Sequence, residues 1–309
     1  MKITKIDESA YLPESAINRL KKLGEFRKHD DRPSREEAIS RLSDTDLAIV
    51  EWTNVDRSMI QKIRETSDRL KYIVIALTGY EFVDVQAAKE YGILASNIPN
   101  YSKQSVAEHA FAMLLALIRN IKAADAAARE GKRDYFEHFM STELYGKTLG
   151  ILGLGSIGSW ISHIGLGFGM KVIAHSRKPK DLPNVRDVSL EDLLMGSDVF
   201  VVSVDYNQTT ANLLTKERLG LLKPDSYFVS ITPSGIYDED ALADMVQRNK
   251  LAGVALDIPK EHSPLEKIDK TILTPCTAWY TQASLDRLAT IMVDNVEQYI
   301  LGKPQNLVN

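Results

Sequence analysis

The chain has 309 residues, 44% hydrophobic and 26% charged, with a formal net charge of -4. That length suggests two domains or one large one, with ample core, and the acidic balance argues against nucleic acid or an anionic membrane as the main partner. The single cysteine, Cys276, excludes an internal disulfide and fits a reducing cytoplasm. The opening MKITKIDESA lacks the apolar core of a secretion signal, and the longest apolar run, Ala110 to Ile118, is too short to span a bilayer. A cytoplasmic protein with no membrane partner is expected.

From the amino end, the apolar segments Leu47 to Val50 and Tyr72 to Ala76 read as buried parallel strands. Between them Met59, Ile60, Ile63 and Leu70 approximate helical spacing over 58–70. Ser34 and Glu37 are spaced as a capping box. Thr78 and Gly79, followed by Tyr80, lie just past a strand's carboxyl end, where α/β proteins place ligands; these three are assigned to substrate. Asp84 is read as a structural N-cap for a helix over 85–91. A third apolar run, Gly92 to Ala95, closes this small α/β half.

Residues 105–121, SVAEHAFAMLLALIRNI, form a long helix that is apolar nearly all round in its middle. Such a helix is buried against other protein, here expected to be the partner domain and a second copy of the chain. Glu108 and His109 lie on it, and His109 is read as a satisfied buried or interface histidine rather than a catalyst. Residues 123–133 turn polar and lead onward.

The segment from Lys147 to Lys180 organises the rest. A short apolar run, Leu149 to Leu152, meets Gly153, Gly155 and Gly158 at G-x-G-x-x-G spacing. Ile157, Trp160, Ile161, Ile164 and Phe168 follow at helical intervals, then Val172 to Ala174 as a second strand. Gly153 serves the tight turn, Gly155 the approach of a pyrophosphate, and Gly158 the close packing of helix on strand. The helix mouth around Ser156 and Ile157 offers unpaired N–H groups to phosphate. At the tip of the second strand an NAD site places a carboxylate roughly 20 residues beyond the glycines. Here that place holds Ser176, Arg177 and Lys178, a hydroxyl and two cations suited to a 2′-phosphate. The expected cofactor is therefore NADP(H).

Strand and helix signals keep alternating. Ser189 and Asp192 start a helix to Met195; Val199 to Val204 is a strand; Lys216 to Leu222 is a helix and Tyr227 to Ile231 a strand. Asp238 caps a helix through Val246, Val254 to Leu256 is a short strand, and Thr271 to Thr274 is the last one. Such alternation implies a doubly wound parallel sheet with right-handed crossovers. Ser203, Val204, Thr210, Thr232, Pro233 and Asp257 are assigned to the cofactor, with Cys276 at the end of the last strand. A helix over 282–301 must pack beyond this sheet.

SVAEHAFAMLLALIRN, GKTLGILGLGSIG, DEDALADMVQRNKLAGVALDI and TPCTAWYT, in this order and spacing, resemble the NAD(P)-dependent D-2-hydroxyacid dehydrogenases. The resemblance covers nearly the whole chain. It implies a Rossmann domain (102–282) inserted in a smaller flavodoxin-like α/β substrate domain (1–101 plus 283–309), and a homodimer built on the 105–121 helix.

The resemblance also exposes what is missing. The family's substrate-binding arginine follows the fifth strand of its nucleotide-binding domain, and counting back from Asp238 its place is Pro233. Its general acid is the histidine of a T-P-H motif, here Thr274-Pro275-Cys276. For the glutamate that orients that histidine, an ungapped count gives His262. A one-residue deletion gives Glu261, favoured because Pro259-Lys260-Glu261 resembles the family's wording. Losing a positioned acid costs about 10²–10⁴-fold. Cys276, Glu261 and Tyr280 are the candidate catalytic residues, although the thiol is a weak hydrogen-bond donor; Trp279 is also expected to face the cleft, and Tyr101 and Lys103 begin the crossing between the domains. No metal is expected. The expected function is NADPH-dependent hydride transfer to a carbonyl or imine-type small molecule by a remodelled site, the alternative being a catalytically degenerate NADP(H)-binding sensor or assembly protein.

Overall fold

Two separate all-parallel sheets carry the chain. The computed structural model describes residues 1–132, 136–178 and 180–309, and it divides into two compact units, Met1–Ser102 with Thr281–Asn309, and Lys103–Tyr280.

In the first unit the strands are β1 (Lys2–Lys5), β2 (Glu25–Lys28), β3 (Leu47–Val50), β4 (Tyr72–Ile75) and β5 (Leu94–Ser96), in the order β2-β1-β3-β4-β5. That is the flavodoxin-like order, with its topological switch between β1 and β3. Neither β1 nor β2 was evident from hydrophobic pattern, because Lys2, Lys5, Arg27 and Lys28 break it. Lys5 is nonetheless fully buried, its Nζ on the carboxylate of Asp7 and 3.3 Å from Oε2 of Glu51, both also buried. Asp7 in turn accepts from the amides of Glu51, Trp52 and Thr53. A charge can be buried here because each partner's remaining valences are filled.

Helices α1 (Glu14–Leu23), α2 (Arg35–Ser43), α3 (Arg57–Thr66) and α4 (Val85–Glu90) connect these strands. The Ser34–Glu37 capping box forms at α2, Asp56 caps α3, and Asp84 accepts from the Ala87 amide to cap α4. Chain entropy alone would fray such short helices; their buried faces hold them, with Met59, Ile60 and Ile63 of α3 almost fully enclosed. The final helix of the chain (Gln282–Ile300) belongs to this unit, where Tyr299 stacks on Tyr72 with ring centroids 4.2 Å apart. The C-terminal tail then closes the sheet edge at β5: Oδ1 of Asn309 accepts from the Ala95 amide.

In the second unit α5 (Lys103–Ile118) and α6 (Ile121–Arg129) precede β6 (Thr148–Leu152), α7 (Ser156–Gly167), β7 (Lys171–His175), β8 (Val185–Asp187), α8 (Leu190–Gly196) and β9 (Val199–Val202). Then come α9 (Lys216–Leu219), β10 (Ser226–Ser230), α10 (Glu239–Gln247), β11 (Leu251–Leu256) and β12 (Thr271–Leu273); the 282–300 helix is α11. The strand order is β12-β11-β10-β9-β6-β7-β8, the doubly wound Rossmann arrangement with its switch point between β6 and β9. Gln282–Ile300 corresponds closely to the expected 282–301 helix, whereas β8 had no sequence signal beyond Val185. Val106, Ala110, Phe111, Leu114 and Leu117 pack into the core of their own unit with Leu149, Ile161, Val199 and Ala255, each of the larger side chains stabilising by roughly 1.5–3 kcal/mol.

Candidate active site

The first turn of the nucleotide cradle is dictated by three glycines. Gly153 has φ +96°, and a Cβ there would meet Cγ1 of Val204 at 2.6 Å. A Cβ on Gly158 would fall 2.0 Å from the carbonyl oxygen of Gly153, whereas one on Gly155 meets nothing within 4 Å. Gly153 and Gly158 are thus required for packing, and Gly155 borders open space at the N-terminus of α7. No side chain caps that helix, so its first amides remain available to an anion. Ser203 steadies the loop, its hydroxyl donating to the Gly153 carbonyl at 2.7 Å.

Around this mouth lies a cavity of about 340 Å³ lined by the glycine loop, Ser156, Ile157, Ser176, Arg177, Lys178, Lys180, Ser203, Val204, Asp205 and Thr210 among others. The residues present therefore fit a dinucleotide. Arg177, Lys178 and Lys180 make no ion pair among the described residues. The Ser176 hydroxyl donates to the Lys178 carbonyl at 2.9 Å, and that of Thr210 to the Asp205 carbonyl at 2.6 Å. These two side chains shape the rim with their hydroxyls already engaged.

At the carboxyl ends of β10, β11 and β12 a second cluster forms. Thr232 is buried, its hydroxyl 3.0 Å from that of Ser230, and Pro233 next to it is exposed and presents no donor. Asp257, directly after β11, is 2% exposed. Its Oδ1 accepts from the Thr274 hydroxyl at 2.6 Å and the Thr277 amide at 2.9 Å, and its Oδ2 from the Ala278 amide at 3.2 Å. Burial alone would raise this carboxyl, but hydrogen bonds from His109, Thr274, Thr277 and Ala278 outweigh it and hold the group below the ordinary carboxylate range. Asp257 is thus the post around which the 274–278 loop is wound. The sequence reading placed it with the cofactor and missed this role, because its donors in the 274–278 loop lie 17 to 21 residues away and His109 is on a different helix.

Cys276 adopts φ +57°, its amide donating to the Asp257 carbonyl at 2.6 Å. Desolvation, then the Asp257 charge, push its thiol up. Tyr280 is 56% exposed and meets Trp279 edge to face with centroids 5.3 Å apart. Glu261 and His262 both face solvent, each 91% exposed and 3.8 Å from each other. Their loop is anchored by a different carboxylate: buried Glu239 accepts from the Lys260 amide and the Ser263 hydroxyl. His109 stands beside Asp257, with Nε2 3.0 Å from Oγ1 of Thr274 and 3.4 Å from Oδ1 of Asp257. In the first unit Thr78 donates to the Ile98 carbonyl at 2.8 Å, Gly79 follows it, and Tyr80 is 37% exposed. These three sit in the loop after β4.

Comparison with known proteins places the chain. The model of the D-isomer specific 2-hydroxyacid dehydrogenase NAD binding domain matches residues 111–278. Hydroxypyruvate reductase of Blautia hydrogenotrophica is 32% identical over 89% of this chain and 88% of its own. D-3-phosphoglycerate dehydrogenase of Methanocaldococcus jannaschii is 32% identical over 96% of this chain, which spans 58% of that protein's length. A solved structure titled as an acyclic imino acid reductase, Bsp5, in complex with NADPH and D-Arg is 37% identical, covers 100% of both chains and superposes with a TM-score of 0.93. The chain belongs to the D-isomer-specific 2-hydroxyacid dehydrogenase family, a family of NAD(P)-dependent oxidoreductases.

Proposed function

We propose that the chain is an NADPH-dependent reductase of a C=N bond, acting on a small 2-imino acid in preference to a 2-oxo acid. The observation that carries this reading is the pairing of an intact nucleotide cradle with Pro233 and Cys276 at the family's arginine and histidine places. A ketone oxygen needs a donor to take up the charge that develops as hydride arrives. An imine nitrogen is far more basic than that oxygen and accepts its proton more readily, so the loss of a strong fixed donor costs less. The likeness to the Bsp5 structure, whose title names NADPH and an imino acid reductase activity, supports the same choice.

When bound, the nicotinamide supplies the hydride. In this reading the α7 amides hold the pyrophosphate, Arg177 and Lys178 take the 2′-phosphate, and Ser203, Val204, Thr232 and Pro233 border the nucleotide along the strand ends. Thr78, Gly79 and Tyr80 are proposed substrate contacts, and Cys276 and Tyr280 proposed neighbours of the reacting group. Glu261 is the weakest of the proposed catalytic set, since its carboxylate faces solvent and no T-P-H histidine is there for it to orient. A second copy of this chain is the proposed partner, because Ile121, Phe136, Met140 and Tyr145 are 55–87% exposed over one short stretch. Among the described residues no helix is long and apolar enough to cross a membrane.

The test is NADPH oxidation with a panel of 2-oxo acids, each with and without ammonia or methylamine. Turnover that needs the amine and yields an amino acid is expected. Equal turnover without amine, giving a hydroxy acid, overturns the imine reading. Tight NADPH binding with no turnover on any compound favours the sensor role instead.

A further inference from the structure

The cavity at the mouth of α7 holds one acid among its described residues. Asp205 lines it together with Arg177, Lys178 and Lys180, and its carboxylate makes no hydrogen bond or ion pair among the described residues. Opposite charges that share a cavity without pairing occupy different parts of it. The three cations follow β7, whereas Asp205 stands three residues past β9. In the sheet β6 separates β9 from β7, so the glycine loop lies between a basic wall and the wall that carries Asp205.

The other polar side chains of the second wall are engaged within their own loop. Oγ1 of Thr210 donates to the Asp205 carbonyl at 2.6 Å, and Oγ1 of Thr209 donates to Oδ1 of Asn207 at 2.7 Å. Nδ2 of Asn207 donates to the Asp205 carbonyl at 3.3 Å. This turn fixes the backbone of Asp205 and leaves its carboxylate unspent. An ionised carboxylate only accepts. Whatever it meets in a bound nucleotide must therefore carry an N–H or O–H and no negative charge, which excludes both phosphate groups. The ribose 3′-hydroxyl is adjacent to the 2′-phosphate and so belongs to the basic wall. With the pyrophosphate on the α7 amides, the part of the nucleotide left for the second wall is the base. Adenine has an exocyclic amino group that donates.

We propose that Asp205 reads the adenine of the nucleotide, accepting a hydrogen bond from its exocyclic amino group. The inference rests on the NADPH reading given above. It adds a selectivity that the rest of the cradle lacks, because backbone amides and cations grip phosphate whatever the base.

Calorimetry on the full chain tests this by binding, without turnover. The probes are NADPH and its deaminated analogue, reduced nicotinamide hypoxanthine dinucleotide phosphate. In the analogue a carbonyl oxygen replaces the amino group, and the carboxylate repels it. Wild type should bind the analogue about 10- to 100-fold more weakly, the range for a hydrogen bond to a charged group. Asp205→Asn presents both an acceptor and a donor, and should bind the two nucleotides within about threefold of each other. Wild type that binds both equally overturns the proposal alone. An Asn variant that keeps the wild-type preference, including one weakened equally towards both nucleotides, overturns it as well. Wild type that binds neither nucleotide sinks the NADPH reading and this inference together.

Discussion

The carbonyl oxygen of Gly153 lies 2.0 Å from where a Cβ on Gly158 would be, so the first turn of α7 rests directly on the end of β6. Gly155, two residues past Gly153, has only open space before it. The two glycines should therefore fail differently. Gly158→Ala forces backbone apart and should cost about 3 kcal/mol or more, read as a lowered Tm. Gly155→Asp should leave Tm within a few degrees of wild type and weaken NADPH binding at least tenfold by placing a carboxylate against the pyrophosphate. A Gly155→Asp protein that binds NADPH normally would remove the cradle from that loop.

Arg177 and Lys178 line the cavity without carboxylate partners among the described residues. Each charge-assisted contact is worth about 1.5–3 kcal/mol. Arg177→Ala should thus weaken NADPH about 10- to 100-fold and leave NADH affinity unchanged. Equal losses for both nucleotides, measured by calorimetry, would show that these cations do not read the 2′-phosphate.

Pro233 offers no donor, and Cys276 sits at φ +57°, a region that histidine tolerates better than most residues. The double variant Pro233→Arg, Cys276→His should consequently fold and gain reduction of 2-oxo acids in the absence of amine. Wild type that already reduces such acids well would contradict the assigned cost of the two replacements.

Asp257 has a folded-state pKa below its ordinary value near 3.9. The unfolded chain then binds the proton first on acidification. Its stabilisation is complete above about pH 4 and declines as pH falls through the lower, folded value. Asp257→Asn should lower Tm at pH 7 and flatten the fall in Tm below pH 5. An unchanged acid limb would mean that other carboxylates govern it.

Lys5 is enclosed with Asp7 and Glu51, and burial, opposed chiefly by Lys5, raises the Glu51 carboxyl. Lys5→Met leaves two buried carboxylates without a cation and should cost about 3–5 kcal/mol. A carboxylate whose folded pKa is raised loses stability as pH rises through that value. The deficit in Tm should accordingly be larger at pH 8 than at pH 5. A pH-independent deficit would point to lost packing instead.

The nucleotide cradle and most of the sheet were determined by sequence alone. Gly153, Gly155 and Gly158 act within one turn of each other, and Ser34, Asp84, Ser189 and Asp238 cap helices three residues away, so spacing records their geometry directly. Apolar strands such as Leu47–Val50 and Val199–Val202 carry their burial in their composition. The strand at Lys2–Lys5 does not, since Lys5 is admitted to the interior only by Asp7 and by Glu51, 46 residues on. Likewise, His109 on α5 is an unremarkable helix residue until β11 and β12 bring Asp257 and Thr274 to within 3.4 Å of it. Local spacing encodes turns and caps, whereas hydrogen bonds between residues 165 positions apart exist only once the sheet has closed.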